Sequence, residues 1–132
     1  MLDEHLRRLR ERRPAELETF RSDALLQDAV SMSVLVVVQE AMDIALHVAS
    51  DEAWELAPTY GGAFTVLQQH GVIEASLAAS LAGAVQLRSR IARGYASLDV
   101  ERLWTELPSG IATFEAFAAA MARLLRQGVG TP

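Results

Sequence analysis

Residues 25–50 read LLQDAVSMSVLVVVQEAMDIALHVAS. The valine-rich run at 34–38 is β-prone by propensity. The length of the stretch and the placing of its polar residues argue for helix instead. On a wheel of about 100° per residue, Asp28, Gln39, Glu40, Asp43, His47 and Ser50 fall on one narrow stripe, and almost everything else is apolar. A helix apolar around most of its circumference must be covered on several sides. It is therefore expected to be the central helix of a bundle, or to carry part of a dimer interface as well.

The flanks support a helical bundle. Residues 2–20 read as a first amphipathic helix on Leu2, Leu6, Leu9, Leu17 and Phe20. Pro14 would kink it or mark a restart, because proline cannot donate the interior hydrogen bond. Ser22 or Asp23 can cap the long helix that follows, and residues 51–57 form a connection. Pro58 is read as opening a short third helix with Tyr60, Phe64 and Leu67 on one face, and Gly71 closes it after His70. Residues 74–91 form a fourth helix rich in Ala and Leu. Leu98, Asp99 and Val100 mark a turn into a short segment ending at Leu107. Pro108 is then taken as the start of the last helix, with Ile111, Phe114, Phe117, Met121, Leu124 and Leu125 on its apolar face. The expected fold class is all-α: an antiparallel bundle of about five helices in one domain spanning 1–132, with a flexible tail at 128–132.

Bulk composition fits. Hydrophobic residues make up 51% of the 132 and aromatics only 6%, which favours an interior of small and medium aliphatic side chains. A net charge of −5 provides no global basic field for duplex DNA. All 12 basic residues are Arg, concentrated around 7–21 and 88–102. Arg suits phosphate with its planar fork of donors; codon bias in a GC-rich genome explains the same composition. The first Arg run reads as a solvated helix face. The absence of Cys removes disulfides and thiolate chemistry. The N-terminal stretch is charged and lacks a signal-peptide core, and the unbroken apolar run at 34–38 is too short to span a bilayer. A cytoplasmic protein without membrane attachment is expected.

The segment with most chemical content is residues 87–95, LRSRIARGY. Arg88, Arg90 and Arg93 lie near the C-terminal end of an otherwise apolar helix, where the helix dipole favours cations. Three guanidinium groups in two turns repel one another unless an anion or carboxylates neutralise them. A phosphate-type ligand and a plain capping role both fit that pattern.

This segment resembles the motif of the HepT-like toxins of the HEPN superfamily: an Arg, about four to six variable residues, a His, one residue of any kind and a Tyr. Arg88 matches the Arg, Ser89 stands where Asn is common, Arg93 falls on the His position, and Tyr95 matches the Tyr. Glu40 through His47 resembles the family's second-helix signature. Pro58 through Phe64 with Leu67 and Gly71, and Leu98 through Glu101, resemble its following segments, so the likeness covers residues 25–125 in order. The resemblance implies a helical homodimer and a metal-independent ribonuclease, needing no cofactor, in which the Arg holds the scissile phosphate and the His moves the proton. It also implies a minimal nucleotidyltransferase antitoxin of the MntA type, which transfers AMP to the motif tyrosine, here Tyr95. RNA, tRNA among the candidates, is the implied substrate.

Arg stays charged to a pH of about 12 or above and is a poor base, whereas His exchanges protons near neutrality. The replacement at Arg93 therefore cuts at the reaction and spares binding, and weak or absent ribonuclease activity is expected. The alternative is a non-catalytic accessory subunit, an AMP acceptor or substrate-presenting partner, for a nucleotidyltransferase. Glu40, Asp43 and His47 at i, i+3 and i+7 provide too few ligands for a metal site. They are expected instead to make polar contacts, with Glu40 or Asp43 facing Arg88. His47 is the candidate for a substitute base, while His5 and His70 read as exposed or turn residues.

Overall fold

The computed structural model describes residues 2–55, 59–94 and 99–129. The described residues form six α-helices: α1 (Leu2–Arg12), α2 (Leu17–Arg21), α3 (Ala24–Asp51), α4 (Ala63–Gln69), α5 (Ala75–Ala92) and α6 (Val100–Val129), with a 3-10 turn at Tyr60–Gly62 leading into α4. The all-helical bundle is as expected. α3 is its centre and touches all five other helices. Ten of its residues are buried, among them Val30, Val37, Val38, Ala41 and Ala45. It is long and apolar enough to cross a bilayer, and here it is wrapped by other helices instead. The Asp23 side chain, rather than Ser22, caps it by accepting from the Leu26 N–H at 3.0 Å, worth about 1 kcal/mol.

Pro14 and Pro108 behave differently. Pro14 separates α1 from α2, so the segment at 2–20 is two helices. Pro108 lies inside α6 instead of opening a helix, and the segment from Val100 to Leu107 is the first part of that same element. Pro108 has no N–H for the Trp104 carbonyl four residues earlier. Arg13, from the end of α1, supplies the missing donor: its Nε–H reaches that carbonyl at 3.0 Å. The Arg13 guanidinium lies 4.0 Å from the Trp104 ring centroid, and the indole N–H donates to the Pro14 carbonyl at 2.9 Å. One proline thus breaks a helix and presents a carbonyl to the indole; the other leaves a carbonyl that an arginine fills.

α1 and α2 pack against α3 and α6 through Leu2, Leu6, Leu9 and Phe20, all buried. Across the core, Phe117 of α6 meets Phe64 of α4 edge-on, with centroids 5.5 Å apart at 86°. Such a pair adds about 1 kcal/mol beyond its burial. α6 continues through Val129, and of the residues expected as a tail 130–132 lie outside the described set.

Two helix ends share one capping design. After α4, the Gly71 N–H reaches the Gln68 carbonyl at 3.0 Å and the Val72 N–H reaches Leu67 at 2.9 Å. Gly71 holds the left-handed φ of 74° that this Schellman turn requires, as its position after His70 suggested. After α3, Ala53 N–H to Ser50 at 3.0 Å and Trp54 N–H to Ala49 at 2.9 Å repeat the pattern. There an alanine holds φ at 57°. The turn delivers Trp54 onto His70, ring on ring at 4.0 Å and 9°. His70, exposed as expected, thereby ties the end of α3 to the end of α4.

Candidate functional site

α5 carries the arginine motif and packs against α3, α4 and α6. From Ala75 to Leu87 it has no charged residue. Yet only Ala78, Leu81 and Ile91 of its 18 residues are buried. An apolar helix with so little cover leaves a long face for something else.

The three motif arginines do not converge. A helix advances about 100° per residue, so Arg88, Arg90 and Arg93 leave α5 in separate directions. Arg88 turns to α3, where its Nη2 donates to Gln39 Oε1 at 2.6 Å. Gln39 passes the contact on, its Nε2 donating to Asp43 Oδ1 at 3.2 Å. The Nε–H of Arg88 is buried with no hydrogen-bond partner among the described residues, so one donor of a half-buried guanidinium is unspent.

Arg90 faces α6, where it lines a cavity of about 410 Å³ with Leu87, Gly83, Arg102, Glu106 and Thr113. Arg102 in that wall is paired with Glu106 at 3.1 Å; Arg90 has no ion pair among the described residues. Arg93 is the exposed C-cap of α5, and its Nε donates to the Ser89 carbonyl of the preceding turn at 3.3 Å. Ser89 spends its hydroxyl on the Val85 carbonyl at 3.2 Å. Gly94 follows at φ 123°. Tyr95, the motif tyrosine, lies outside the described residues, as does Pro58.

The acidic stripe of α3 is also divided. Asp43 reaches Arg88 only through Gln39. Glu40, expected on the same face, lies about 100° further round and turns to α1, where its Oε2 is 2.8 Å from His5 Nδ1. His47 pairs with Asp51 of its own helix at 3.1 Å, with 76% of its side chain exposed. It thus stays out of the Arg88 contact network. His5 corrects the expectation of an exposed residue: only 28% of its side chain is exposed. Sequence reasoning missed Gln39 as the Arg88 partner because it weighed only charged residues. It missed His5 because a histidine amid charges looked solvated.

A profile of the family described as ribonuclease HepT-like matches residues 2–121. Comparison with curated proteins finds no match. Among solved structures, the toxin–antitoxin complex with AMP-PNP is similar at a TM-score of 0.86 and 20% identity, over 92% of each chain. A tri-AMPylated Shewanella oneidensis HEPN toxin in complex with its MNT antitoxin is similar at 0.85 and 21%, over 92% of this chain and 91% of that one. A mutant MntA toxin–antitoxin complex gives 0.82 and 22%, over 92% of each. These likenesses establish a shared fold. With the profile spanning α1 through most of α6, the chain belongs to the HepT-like ribonuclease family.

Proposed function

We propose that the chain is the toxin-side component of a toxin–antitoxin pair, a HepT-like scaffold that binds RNA phosphate but is poor at moving the proton. The observation that carries this reading is the residue pair Arg88 and Arg93. Arg88, at the family's phosphate-binding position, keeps a buried N–H unspent. At the family's histidine position stands Arg93, exposed and hydrogen-bonded to the backbone of its own helix. A guanidinium can stabilise phosphoryl charge but cannot serve as a base near neutral pH. His47 pairs with Asp51 of its own helix and takes no part in the Arg88–Gln39–Asp43 contacts, which argues against it as a substitute base. RNA cleavage by the wild type and by an Arg93→His variant tests the reading; a cutting variant beside an inert wild type supports it.

The homodimer belongs to the same proposal. The uncharged, thinly covered face of α5 beside its cavity with α6 is the surface a second copy would bury. An RNA substrate in turn puts the protein in the cytoplasm.

A second reading is supported by the relatives, whose complexes pair a HEPN toxin with a nucleotidyltransferase-type antitoxin and include an AMPylated form. In it the chain is an accessory subunit and Tyr95 receives AMP from an MntA-type partner. Mass spectrometry after incubation with such an enzyme and ATP would find an added AMP on Tyr95, absent from a Tyr95→Phe variant.

A further inference from the structure

Away from α5, α1 and α3 enclose a small pocket of about 140 Å³ lined by His5, Arg8, Arg12, Met32, Ser33 and Val36. His5, Arg8 and Arg12 are spaced i, i+3 and i+7, so three nitrogen-bearing side chains project from one face of α1. Two of them are held by α3. Arg12 Nη1 donates to the hydroxyl of Ser33, which is itself only 7% exposed. His5 Nδ1 stands against Glu40 Oε2, an ion-pair contact rather than an aligned hydrogen bond, and both atoms are shut from solvent. With Nδ1 turned inward, the outer ring nitrogen of His5 is left for a ligand. Among the described residues Arg8 is tied only to Glu4 of its own helix, an exposed i,i+4 pair at 2.9 Å. Such pairs are weak and readily exchanged.

At His5 and Arg12, though not at Arg8, the face differs from a solvated one. Arg7 illustrates the solvated case, pairing with Glu11 at the surface. Arg12 is bent onto a buried hydroxyl and His5 onto a half-buried carboxylate, so neither must give up its full rotamer freedom when an anion arrives. Met32, 57% exposed, and Val36 form an apolar rim, which lowers the local dielectric and strengthens attraction to a charge. The pocket is open to solvent and has room for one tetrahedral oxyanion.

We propose that this α1–α3 pocket is a phosphate-binding site, separate from the arginine motif, that takes one phosphate group through Arg8, Arg12 and the outer nitrogen of His5. The group is either free phosphate or one phosphate of a polynucleotide. The inference does not depend on the family's reaction, since no residue of α5 takes part.

The test is amide chemical-shift mapping of the full-length chain titrated with inorganic phosphate, with 5′-AMP and with a short oligouridylate. Saturable shifts should appear in the amides of residues 5–12 and 32–36 at phosphate concentrations up to roughly 10 mM. Arg12→Ala and Arg8→Gln should each weaken the binding read at these amides about tenfold, and neither should move the amides of α5. Arg8→Gln touches only the exposed pair and so guards against a folding artefact. Similar affinity for phosphate and AMP, with no gain for the oligomer, identifies free phosphate as the ligand. Markedly tighter oligomer binding at the same amides identifies a polynucleotide backbone. No saturable shift with any probe, shifts confined to α5, or shifts that survive both arginine variants would overturn the site.

Discussion

Replacing Arg13 tests how α6 tolerates a proline in its interior. Arg13→Ala removes a charged donor from the Trp104 carbonyl, 3.0 Å away, and a guanidinium 4.0 Å from the indole centroid. A hydrogen bond to a charged group contributes about 1.5–3 kcal/mol and a cation–π contact about 0.5–1 kcal/mol. The residue is half-buried, so a loss of about 2 kcal/mol is expected. The decisive experiment is a double-mutant cycle with Pro108→Ala. That substitution restores the amide N–H four residues after Trp104 and relieves part of the roughly 3 kcal/mol that an interior proline costs. In the Pro108→Ala background the carbonyl no longer needs Arg13, and Arg13→Ala should cost about 1 kcal/mol less than in the wild type. Urea unfolding followed by helical circular dichroism measures all four corners, with an unchanged m-value as the check on two-state behaviour. An identical cost for Arg13→Ala in both backgrounds would refute the claim that Arg13 answers the proline's missing donor.

Other consequences follow from single positions. Ala53→Gly should stabilise the chain by up to about 1 kcal/mol, because Ala53 holds φ at 57° in the turn type that Gly71 completes without strain; thermal melting reads the gain. Ser31 is fully buried and its hydroxyl has no hydrogen-bond partner among the described residues, so Ser31→Ala should be neutral or stabilising by up to about 1 kcal/mol in urea unfolding. Gly83 sits on the α5 face beside the α6 cavity, with nothing within 4 Å of an added Cβ. Gly83→Arg should therefore leave the melting temperature within a few degrees, allowing about 1 kcal/mol for the helical glycine, while light scattering shows a dimer become a monomer. A dimeric Gly83→Arg variant would move the interface elsewhere.

The helical architecture was legible because the long apolar helix has too few polar positions to be anything but central, and the core of α6 followed its Ile111, Phe114 and Phe117 periodicity. The restart at Pro14 was legible and the place of Pro108 inside α6 was not. Pro14 and Pro108 look alike in sequence, and what separates them is Arg13, ninety-odd positions from the carbonyl it satisfies. The arginine motif was visible as a string, yet its division into three directions depends on which neighbour flanks each face of α5. Likewise Gln39 and Glu40 are adjacent in sequence, but the rotation between them sends one to α5 and the other to α1. A wheel shows that rotation; it does not show which helix waits on each side.

RNA cleavage by the purified wild type beside its Arg93→His variant, on total RNA and tRNA with chelator present, tests the central claim most directly. An inert or very weak wild type and a variant that cuts are expected, because Arg88 and the scaffold are in place and only the proton-transfer group is missing. Vigorous cleavage by the wild type, or silence from the variant while it remains folded, would contradict that claim.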